Sequence, residues 1–261
     1  MELSIFQVDA FSDTLFKGNP AAVIPLENWL PDDLTQKIAT ENNLSETAFY
    51  VKVDDLFEIR WFTPTAEVDL CGHATLASAH ILFDEKNYDQ KTILFSSKSG
   101  ILKVEKLNNL YTMDFPTDKI HQVTTPVEIL KGLNTIPLET FRGKDDYMIV
   151  IDSEKEIENI RPDFRMLSLL EDARGVIVTA PGKKVDFVSR CFYPHFGIDE
   201  DPATGSAHTT MTPYWSQKLE KIEMTAHQIS PRLGVFHCKY QQDRVLISGQ
   251  AITYLRGTIL L

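Results

Sequence analysis

Two short segments carry polar residues of the kind that bind acids and move protons. Cys71-Gly72-His73 opens one predicted helix, and Asp201-Pro-Ala-Thr-Gly205-Ser206 opens another. A helix N-terminus presents unpaired backbone N–H groups and a partial positive charge, so it binds carboxylates and stabilises the negative charge of an enolate. The plainer alternative is that Gly72 and Gly205 only permit tight turns from strand to helix. Their paired occurrence favours a site for a small anionic substrate.

Three residues near these helix starts are candidates for moving a proton. Glu46 lies between a helix and a strand, with Leu44 and Phe49 as apolar neighbours, and a carboxylate in such surroundings can act as a general acid or base. His73 and Asp201 stand at the helix starts themselves. The alternatives are a solvent-exposed charge for Glu46, a first-turn residue without a catalytic role for His73 and a helix N-cap for Asp201.

Signatures of several other chemistries are absent from the sequence. There is no glycine-rich nucleotide-binding loop, no Gly-x-Ser-x-Gly, no His-Glu-x-x-His and no Cys-x-x-Cys. His73 and His80 share one predicted helix, but two helical turns separate them by about 10 Å, which is too far for one metal ion. We therefore predict neither a nucleotide cofactor nor a metal.

The elements that must position these residues are mostly strands. In the first half, the β-branched and aromatic bias of strands marks residues 4–8, 47–53, 57–62, 92–95, 101–106 and 110–115. Asn108-Asn109 predicts a hairpin turn between the last two strands. One helix follows Pro31. A second helix, from about residue 73 to residue 84, begins with two turns that are small or apolar on every face, which is typical of a buried helix.

The second half repeats the order of the first. Predicted strands at residues 147–151, 175–179, 185–191, 234–240, 245–248 and 252–255 accompany a small-residue helix that starts near Ser206. Arg60-Trp-Phe-Thr-Pro64 precedes the first helix start, and Arg190-Cys-Phe-Tyr-Pro194 precedes the second. The sequence thus predicts an α+β protein of two pseudo-symmetric halves, residues 1–117 and 118–261. Each half is expected to be a mostly antiparallel sheet or barrel around a central helix. The last strand of the chain can pack back on the N-terminal half.

Composition limits the partners and the location of the chain. It has 261 residues, with 26 Lys and Arg against 37 Asp and Glu, so its formal net charge is −11. Nucleic acids and anionic membranes need a basic face, so we expect neither as a partner. The sequence contains no run of about 18 apolar residues, so we predict no membrane span. Three cysteines suit a reducing cytoplasm better than a disulfide framework.

Four motifs resemble the phenazine biosynthesis-like (PhzF) family. They are Phe16-Lys-Gly-Asn-Pro-Ala-Ala-Val23, Leu44-Ser-Glu-Thr-Ala-Phe49, Asp69-Leu-Cys-Gly-His-Ala-Thr-Leu-Ala77 and Asp201-Pro-Ala-Thr-Gly-Ser-Ala-His208, and the closing Ser248-Gly-Gln-Ala-Ile-Thr also fits. The resemblance covers essentially the full chain. It implies the diaminopimelate epimerase-like fold, an active site between the two halves, an isomerase without metal or organic cofactor, and a homodimer.

The resemblance also implies roles for individual residues. Glu46, the glutamate of the Ser-Glu motif, matches the acid/base of the family, and Ser45 lies beside it. The histidine of the Gly-His motif maps to His73, and the aspartate of the last motif maps to Asp201. The substrate-binding positions map to Asn19, Ser45, Gly72, Gly205 and Ser206.

The cysteines and one proline depart from what the fold and the helix pattern would lead one to expect. Diaminopimelate epimerases use two cysteines, one at each helix start. Here Cys71 stands at the first position, but no cysteine stands near Asp201, so two-thiol racemisation is disfavoured. Cys191 and Cys238 are expected to pack as small apolar residues. Pro213 lies inside the second small-residue helix and should shorten or kink it.

The sequence therefore predicts a cofactor-independent isomerase that moves a carbon-bound proton on a small carboxylate-bearing substrate. Glu46 would act as acid and base, while His73 and Asp201 would hold polar groups of the substrate and tune Glu46. Two alternatives stay open at this point. One is a one-cysteine epimerase in which Cys71 works against Glu46 or Asp201. The other is a non-catalytic protein that binds a metabolite in the same cleft.

Overall fold

The computed structural model describes residues 1–261, which divide into two compact units. The first unit comprises Met1–Asp114 and Ser248–Leu261, and the second comprises Phe115–Ile247. The strands are β1 Glu2–Ala10, β2 Asn19–Leu26, β3 Glu46–Val53, β4 Leu56–Phe62, β5 Glu67–Val68, β6 Thr92–Ser97, β7 Gly100–Leu107, β8 Leu110–Pro116, β9 His121–Gln122, β10 Glu139–Arg142, β11 Asp146–Val150, β12 Gly175–Pro181, β13 Phe187–Tyr193, β14 Ile198–Asp201, β15 Glu223–Gln228, β16 Gly234–Gln241, β17 Arg244–Gly249 and β18 Ala251–Leu260. The helices are α1 Asp32–Asn42, α2 Gly72–His80, α3 Val127–Leu133, α4 Glu154–Asn159, α5 Phe164–Leu167 and α6 Ala207–Leu219. A π-helical turn, Ile81–Glu85, continues α2, and a 3₁₀ turn spans Pro194–Phe196. None of the helices combines the length and the apolar character that crossing a bilayer requires.

In the first unit, a mostly antiparallel sheet packs around α2. β1 pairs antiparallel with β18 and β2, and β2 pairs parallel with β3. β4 follows antiparallel to β3 and then pairs with the short β5 and, in parallel, with β6. All residues of α2 after Gly72 are buried, and the helix packs against β1, β2, β3 and β18. The prediction of a buried central helix is therefore confirmed, because its small side chains let the sheet approach from several sides.

The second unit follows the same pairing order. β10 pairs antiparallel with β11, β11 pairs parallel with β12, and β13 follows antiparallel to β12. β13 then pairs with the short β14 and, in parallel, with β15, whose antiparallel neighbour is β16. α6 lies between β14 and β15 in the chain, as α2 lies between β5 and β6, and it packs against β11, β15 and β16. The same topology thus occurs twice in one chain.

A repeated ion pair supports the duplication at atomic detail. In the first unit, Arg60 binds both carboxylate oxygens of Glu67 through Nε and Nη2, at 2.8 and 2.9 Å. In the second unit, Arg190 binds both oxygens of Glu200 in the same way, each at 2.7 Å. Each guanidinium also lies over the phenylalanine ring two residues further along its strand. The prediction of an α+β fold with two pseudo-symmetric halves is confirmed.

One long strand of the first unit is not predicted by the sequence. β2 contains Pro20 and Pro25, which lack the N–H group that a sheet ladder uses, so its local pattern argues against a central strand. The structure nevertheless places β2 between β1 and β3. Most of its residues are buried, so packing overrides the local preference here.

α6 continues through its internal proline. Pro213 lacks an N–H donor, which leaves the carbonyl of Thr209 without its helical partner. The backbone N–H of Asp118 donates to that carbonyl at 3.3 Å, and the hydroxyl of Thr210 donates to the Asp118 side chain at 2.9 Å. The expectation of a shortened helix is therefore wrong, because a neighbouring loop supplies the missing donor and α6 runs on to Leu219.

Candidate active site

Glu46 and His73 form a buried pair in the first unit. Glu46 Oε2 lies 3.0 Å from His73 Nε2, and the two side chains are 12% and 7% exposed. Neither atom makes a hydrogen bond of good geometry, so the contact is a close charge pairing rather than an aligned hydrogen bond. Glu46 is therefore not the solvent-exposed charge that one alternative predicts. Its other oxygen, Oε1, accepts no hydrogen bond from the protein.

The second ring nitrogen of His73 faces two buried polar side chains. The Asn19 side-chain amide nitrogen lies 3.3 Å from Nδ1, and Cys71 Sγ lies 3.6 Å from it. In the neutral ring, Nδ1 accepts from the amide and Nε2 carries the proton toward Glu46. In the charged ring both nitrogens donate, and an asparagine side chain also offers an acceptor oxygen. Asn19 can thus serve either protonation state.

Burial and charge act in opposite directions on the protonation of His73. Burial alone would lower its pKa. The interactions of the ring with Cys71 and Glu46 together outweigh burial and raise the pKa of His73 well above its usual value. Burial, and next the charge of Glu46, raise the pKa of the Cys71 thiol. The raised pKa of His73 favours the imidazolium, and the raised pKa of Cys71 favours the neutral thiol.

Three elements bring these residues together. Asn19 is the first residue of β2 and Glu46 is the first residue of β3. Because β2 and β3 are parallel, both strands begin at the same end of the sheet. Cys71 is the N-cap of α2, in an extended conformation, and Gly72 is the first residue of that helix. Ser45, half-buried, directly precedes Glu46.

The cluster also contains three side chains that are able to bind metals. One ligand atom each from Glu46, Cys71 and His73 lies within 4.8 Å of the other two. However, Cys71 lies against Nδ1 of the ring and Glu46 lies against Nε2. The start of α2 adds a partial positive charge, which disfavours a cation. The two side chains therefore contact opposite nitrogens of the His73 ring.

The other predicted site residues lie in the second unit, at the start of α6. Asp201 ends β14, and its carboxylate accepts a hydrogen bond from the Thr204 hydroxyl. The Gln228 side chain donates to the Asp201 carbonyl at 2.6 Å and accepts from the Thr204 N–H at 2.7 Å. Ser206 is the N-cap of α6, directly after Gly205, so the alternative of Asp201 as N-cap is wrong.

The two remaining cysteines are core residues of the second unit. Cys191 and Cys238 are 0% and 3% exposed. Burial raises the pKa of both thiols, that of Cys238 to about 12. Both therefore pack as neutral side chains, as small apolar residues do.

One charged side chain at the start of α6 is not predicted from the sequence. Arg174 Nη2 lies 3.2 Å from Ser206 Oγ, and Arg174 Nε donates to the buried carboxylate of Asp146 at 3.0 Å. Asp146 pairs with Gly175 in the parallel register of β11 and β12, so the beginnings of these strands lie side by side. In the sequence, Asp146 opens β11 and Arg174 directly precedes β12. That these two residues form an ion pair becomes apparent only from the strand register.

Comparison with known proteins identifies the family. The family model for phenazine biosynthesis-like protein matches residues 8–257. The chain belongs to this family. An uncharacterized isomerase of Pseudomonas aeruginosa is 48% identical over 259 residues, which cover 99% of each chain. The crystal structure of a PhzF family protein of Enterococcus faecalis matches with a TM-score of 0.97 and 45% identity, over 100% of both chains.

More distant solved structures share only the fold of this chain. A probable proline racemase of Agrobacterium radiobacter has a TM-score of 0.63 at 9% identity, over 99% of this chain and 93% of that chain. The names of the similar proteins place the chain among isomerases. Its motif residues fall into two groups, Asn19, Glu46, Cys71 and His73 in the first unit and Asp201, Gly205 and Ser206 in the second.

Proposed function

We propose that this protein moves a carbon-bound proton within one small carboxylate-bearing molecule, without a metal or an organic cofactor. Glu46, as a carboxylate, takes the proton from one carbon. It then returns the proton to another atom of the same molecule, so the product is an isomer and no electron is gained or lost. The observation that carries this proposal is the buried pair of Glu46 with His73.

The geometry supports a division of work between the two residues. Glu46 Oε2 faces His73, so Oε1 is the oxygen that takes the proton. When the proton leaves carbon, negative charge develops on the substrate, and the imidazolium of His73 stabilises it from nearby. Asn19 and Cys71 contact the far side of the ring and hold its direction. His73 thereby orients the base and balances charge in the same step.

The helix starts supply groups that can hold the substrate. In the first unit we assign Ser45 and the N–H groups around Gly72 to this task. In the second unit we propose that Gly205 and Ser206 can bind a carboxylate and that Asp201 can accept from a donor group of a ligand. Free backbone N–H groups at a helix start bind carboxylates without any cation, which suits a chain with a net charge of −11.

A proton-exchange screen in heavy water tests the proposal. Small carboxylic acids are incubated with the protein and followed by NMR, and one class should gain deuterium at carbon and yield an isomer. Glu46→Gln keeps the shape and removes the base, so exchange should fall by about 10³-fold, within the range for loss of a general base. Glu41→Gln, on the exposed face of α1, is the matched control and should exchange at the wild-type rate. A folded Glu46→Gln protein that converts a confirmed substrate at full rate would falsify the mechanism.

The contact of Cys71 with His73 favours a second candidate, a one-cysteine epimerase. Because burial raises the pKa of its thiol, Cys71 would act as the acid that delivers a proton, while Glu46 removes one. The product would then be a stereoisomer at a single carbon. Cys71→Ser distinguishes the candidates in the same exchange screen, since the epimerase loses turnover and the Glu46 isomerase retains it.

A further inference from the structure

The side chain of Arg174 reaches the start of α6, and one of its guanidinium nitrogens makes no hydrogen bond to the protein. Its Nε and Nη2 bind Asp146, and Nη2 also lies 3.2 Å from Ser206 Oγ. Nη1 has no hydrogen-bond partner, and the side chain is 36% exposed. A guanidinium carries five N–H donors in a fixed fork, so the two on Nη1 remain for an acceptor from outside the protein.

The surroundings of Arg174 hold its fork in place. The guanidinium carbon lies 5.0 Å from the centroid of the Tyr193 ring. A Cβ on Gly175 would lie 2.3 Å from that ring, so the ring packs here only because Gly175 has no side chain. Asp146 is 3% exposed and fixes the other edge of the fork. An arginine held on two sides loses little rotamer freedom when it binds a ligand.

A second polar group in this region lacks a partner. Tyr193 is 5% exposed, and its hydroxyl makes no hydrogen bond. Burial, followed by the charge of Asp146, raises the pKa of Tyr193 well above its ordinary value, so the hydroxyl is a neutral donor. The Tyr193 ring lies against the Arg174 guanidinium, and Tyr193 pairs with Ile198 of β14, the strand that precedes α6. Buried hydroxyls are nearly always hydrogen-bonded, so an unpaired one points to an acceptor that binds here.

We propose that Arg174, with Ser206 and Tyr193, recognises an ionised carboxylate of the ligand at the start of α6 and selects acids over their neutral amides. A carboxylate matches the guanidinium fork, and the helix start adds backbone N–H donors. Asp146 occupies one edge of the fork, so the selection of a carboxylate over its amide rests on the charge-assisted bond from the remaining donors of Arg174. The inference rests on the proposed function, in which Ser206 binds a carboxylate, and adds Arg174 as the side chain that makes binding at the start of α6 selective.

Binding of malonate and of malonamide, its neutral amide, tests the inference directly. Both are titrated by calorimetry into the wild type and into Glu46→Gln. We expect malonate to bind both proteins alike and malonamide to bind at least about tenfold more weakly, as a charge-assisted pair requires. Inorganic phosphate is titrated in parallel. Tighter binding of phosphate than of malonate would overturn the assignment to a carboxylate.

The variant must remove the charge of Arg174 without leaving the buried carboxylate of Asp146 unpaired. Arg174→Gln combined with Asp146→Asn replaces the ion pair by a neutral amide pair, so no buried charge is left unpaired. Malonate affinity should fall at least about tenfold, and the preference over malonamide should disappear. Arg256→Gln with Glu85→Gln removes an ion pair of the same charges in the first unit and is the matched control, with malonate binding unchanged.

Arg174→Lys decides the question if the double variant does not fold. It keeps the charge beside Asp146 but loses the fork, so malonate affinity should fall by about threefold or more. Unchanged affinity in either folded variant, or equal binding of malonate and malonamide by the wild type, overturns the proposal. Glu46→Gln separates the two proposals. Absence of proton exchange with intact Arg174-dependent binding contradicts only the isomerase, and normal exchange with Arg174-independent binding contradicts only this inference.

Discussion

At the scale of single residues, two buried histidines of one helix have opposite protonation behaviour. His73 lies against Glu46, and its pKa is raised well above the usual value. At the other end of α2, His80 contacts the Tyr111 hydroxyl at 2.8 Å and the Thr253 hydroxyl at 2.9 Å. Burial lowers the pKa of His80 and is not offset by the carboxylates nearby. His80 Nδ1 also lies 3.1 Å from the carboxylate of Asp84. That carboxylate is 34% exposed and also binds Lys106 and Tyr111, so it does not offset the effect of burial on His80.

These shifts predict opposite pH dependences of stability for the two histidines. The pKa of His73 is raised in the folded state. Its contribution to the free energy of unfolding is therefore complete below its pKa in the unfolded chain, about 6.5, and is lost as pH rises through its pKa in the folded protein. For His80 the folded-state pKa is lowered, so stability is lost as pH falls below about 6.5. Urea unfolding of wild type, His73→Gln and His80→Gln at several pH values measures both effects. Parallel pH profiles of the two variants would contradict the assignment.

At the scale of elements, the repeated arginine–glutamate bridge ties a long strand to the short strand that leads to each buried helix. Arg60 joins β4 to β5, and Arg190 joins β13 to β14. Arg190 also donates to the backbone carbonyls of Ile157 and Ile160, at 3.2 and 3.0 Å. The Arg-x-Phe-x-Pro motif therefore marks a structural joint that orients the strand before each helix start.

The two bridges should differ in what they contribute to stability. Arg190→Met leaves Glu200 charged and only 13% exposed, so we expect a loss of about 3 kcal/mol, near the lower end for breaking a buried pair. Arg60→Met should cost less, because Glu67 keeps its ion pair with Lys98. Urea unfolding at pH 7 measures both losses. Adding Glu200→Gln to Arg190→Met should recover part of the loss, and no recovery would contradict an electrostatic origin.

At the scale of the whole molecule, the first unit is built from both ends of the chain. β18 pairs along nearly the full length of β1, from Glu2 opposite Leu260 to Ala10 opposite Ala251. Thr253 and Arg256 of β18 also hydrogen-bond Glu85, in the turn that continues α2. The residues that precede β9 therefore cannot complete this unit without the last strand.

Removal of β18 should abolish folding of the first unit. A chain ending at Gln250 exposes the β1 edge and removes the partners of His80 and Glu85. We expect a protein that aggregates and has lost its cooperative unfolding transition, because an unpaired long strand edge associates with other chains. Soluble yield and thermal unfolding measure this, and a chain that lacks only Leu261 is the control. A synthetic peptide of residues 251–261 should restore the transition when added during refolding, and failure of the truncation to affect unfolding would contradict the argument.

Much of the fold could be predicted because the signals are local. Alternating and β-branched residues mark most long strands, and Asn108, with a φ of 55°, forms the predicted tight turn between β7 and β8. The all-round small side chains of α2 predict its burial. β2 escapes prediction because its prolines argue against a strand, whereas pairing with β1 and β3 and packing against α2 stabilise it. α6 likewise passes Pro213 because Asp118, far away in sequence, supplies a donor.

The sequence by itself determined the α+β class, the duplication, the family and the motifs that contain Glu46, His73 and Asp201. Each of these depends on residue types and spacings that are read along the chain. Only the tertiary structure decided that Glu46 lies 3.0 Å from His73 and that Arg174 reaches Ser206. Such contacts depend on which strands pair and in what register, and a shift of one residue turns every side chain to the opposite face of the sheet.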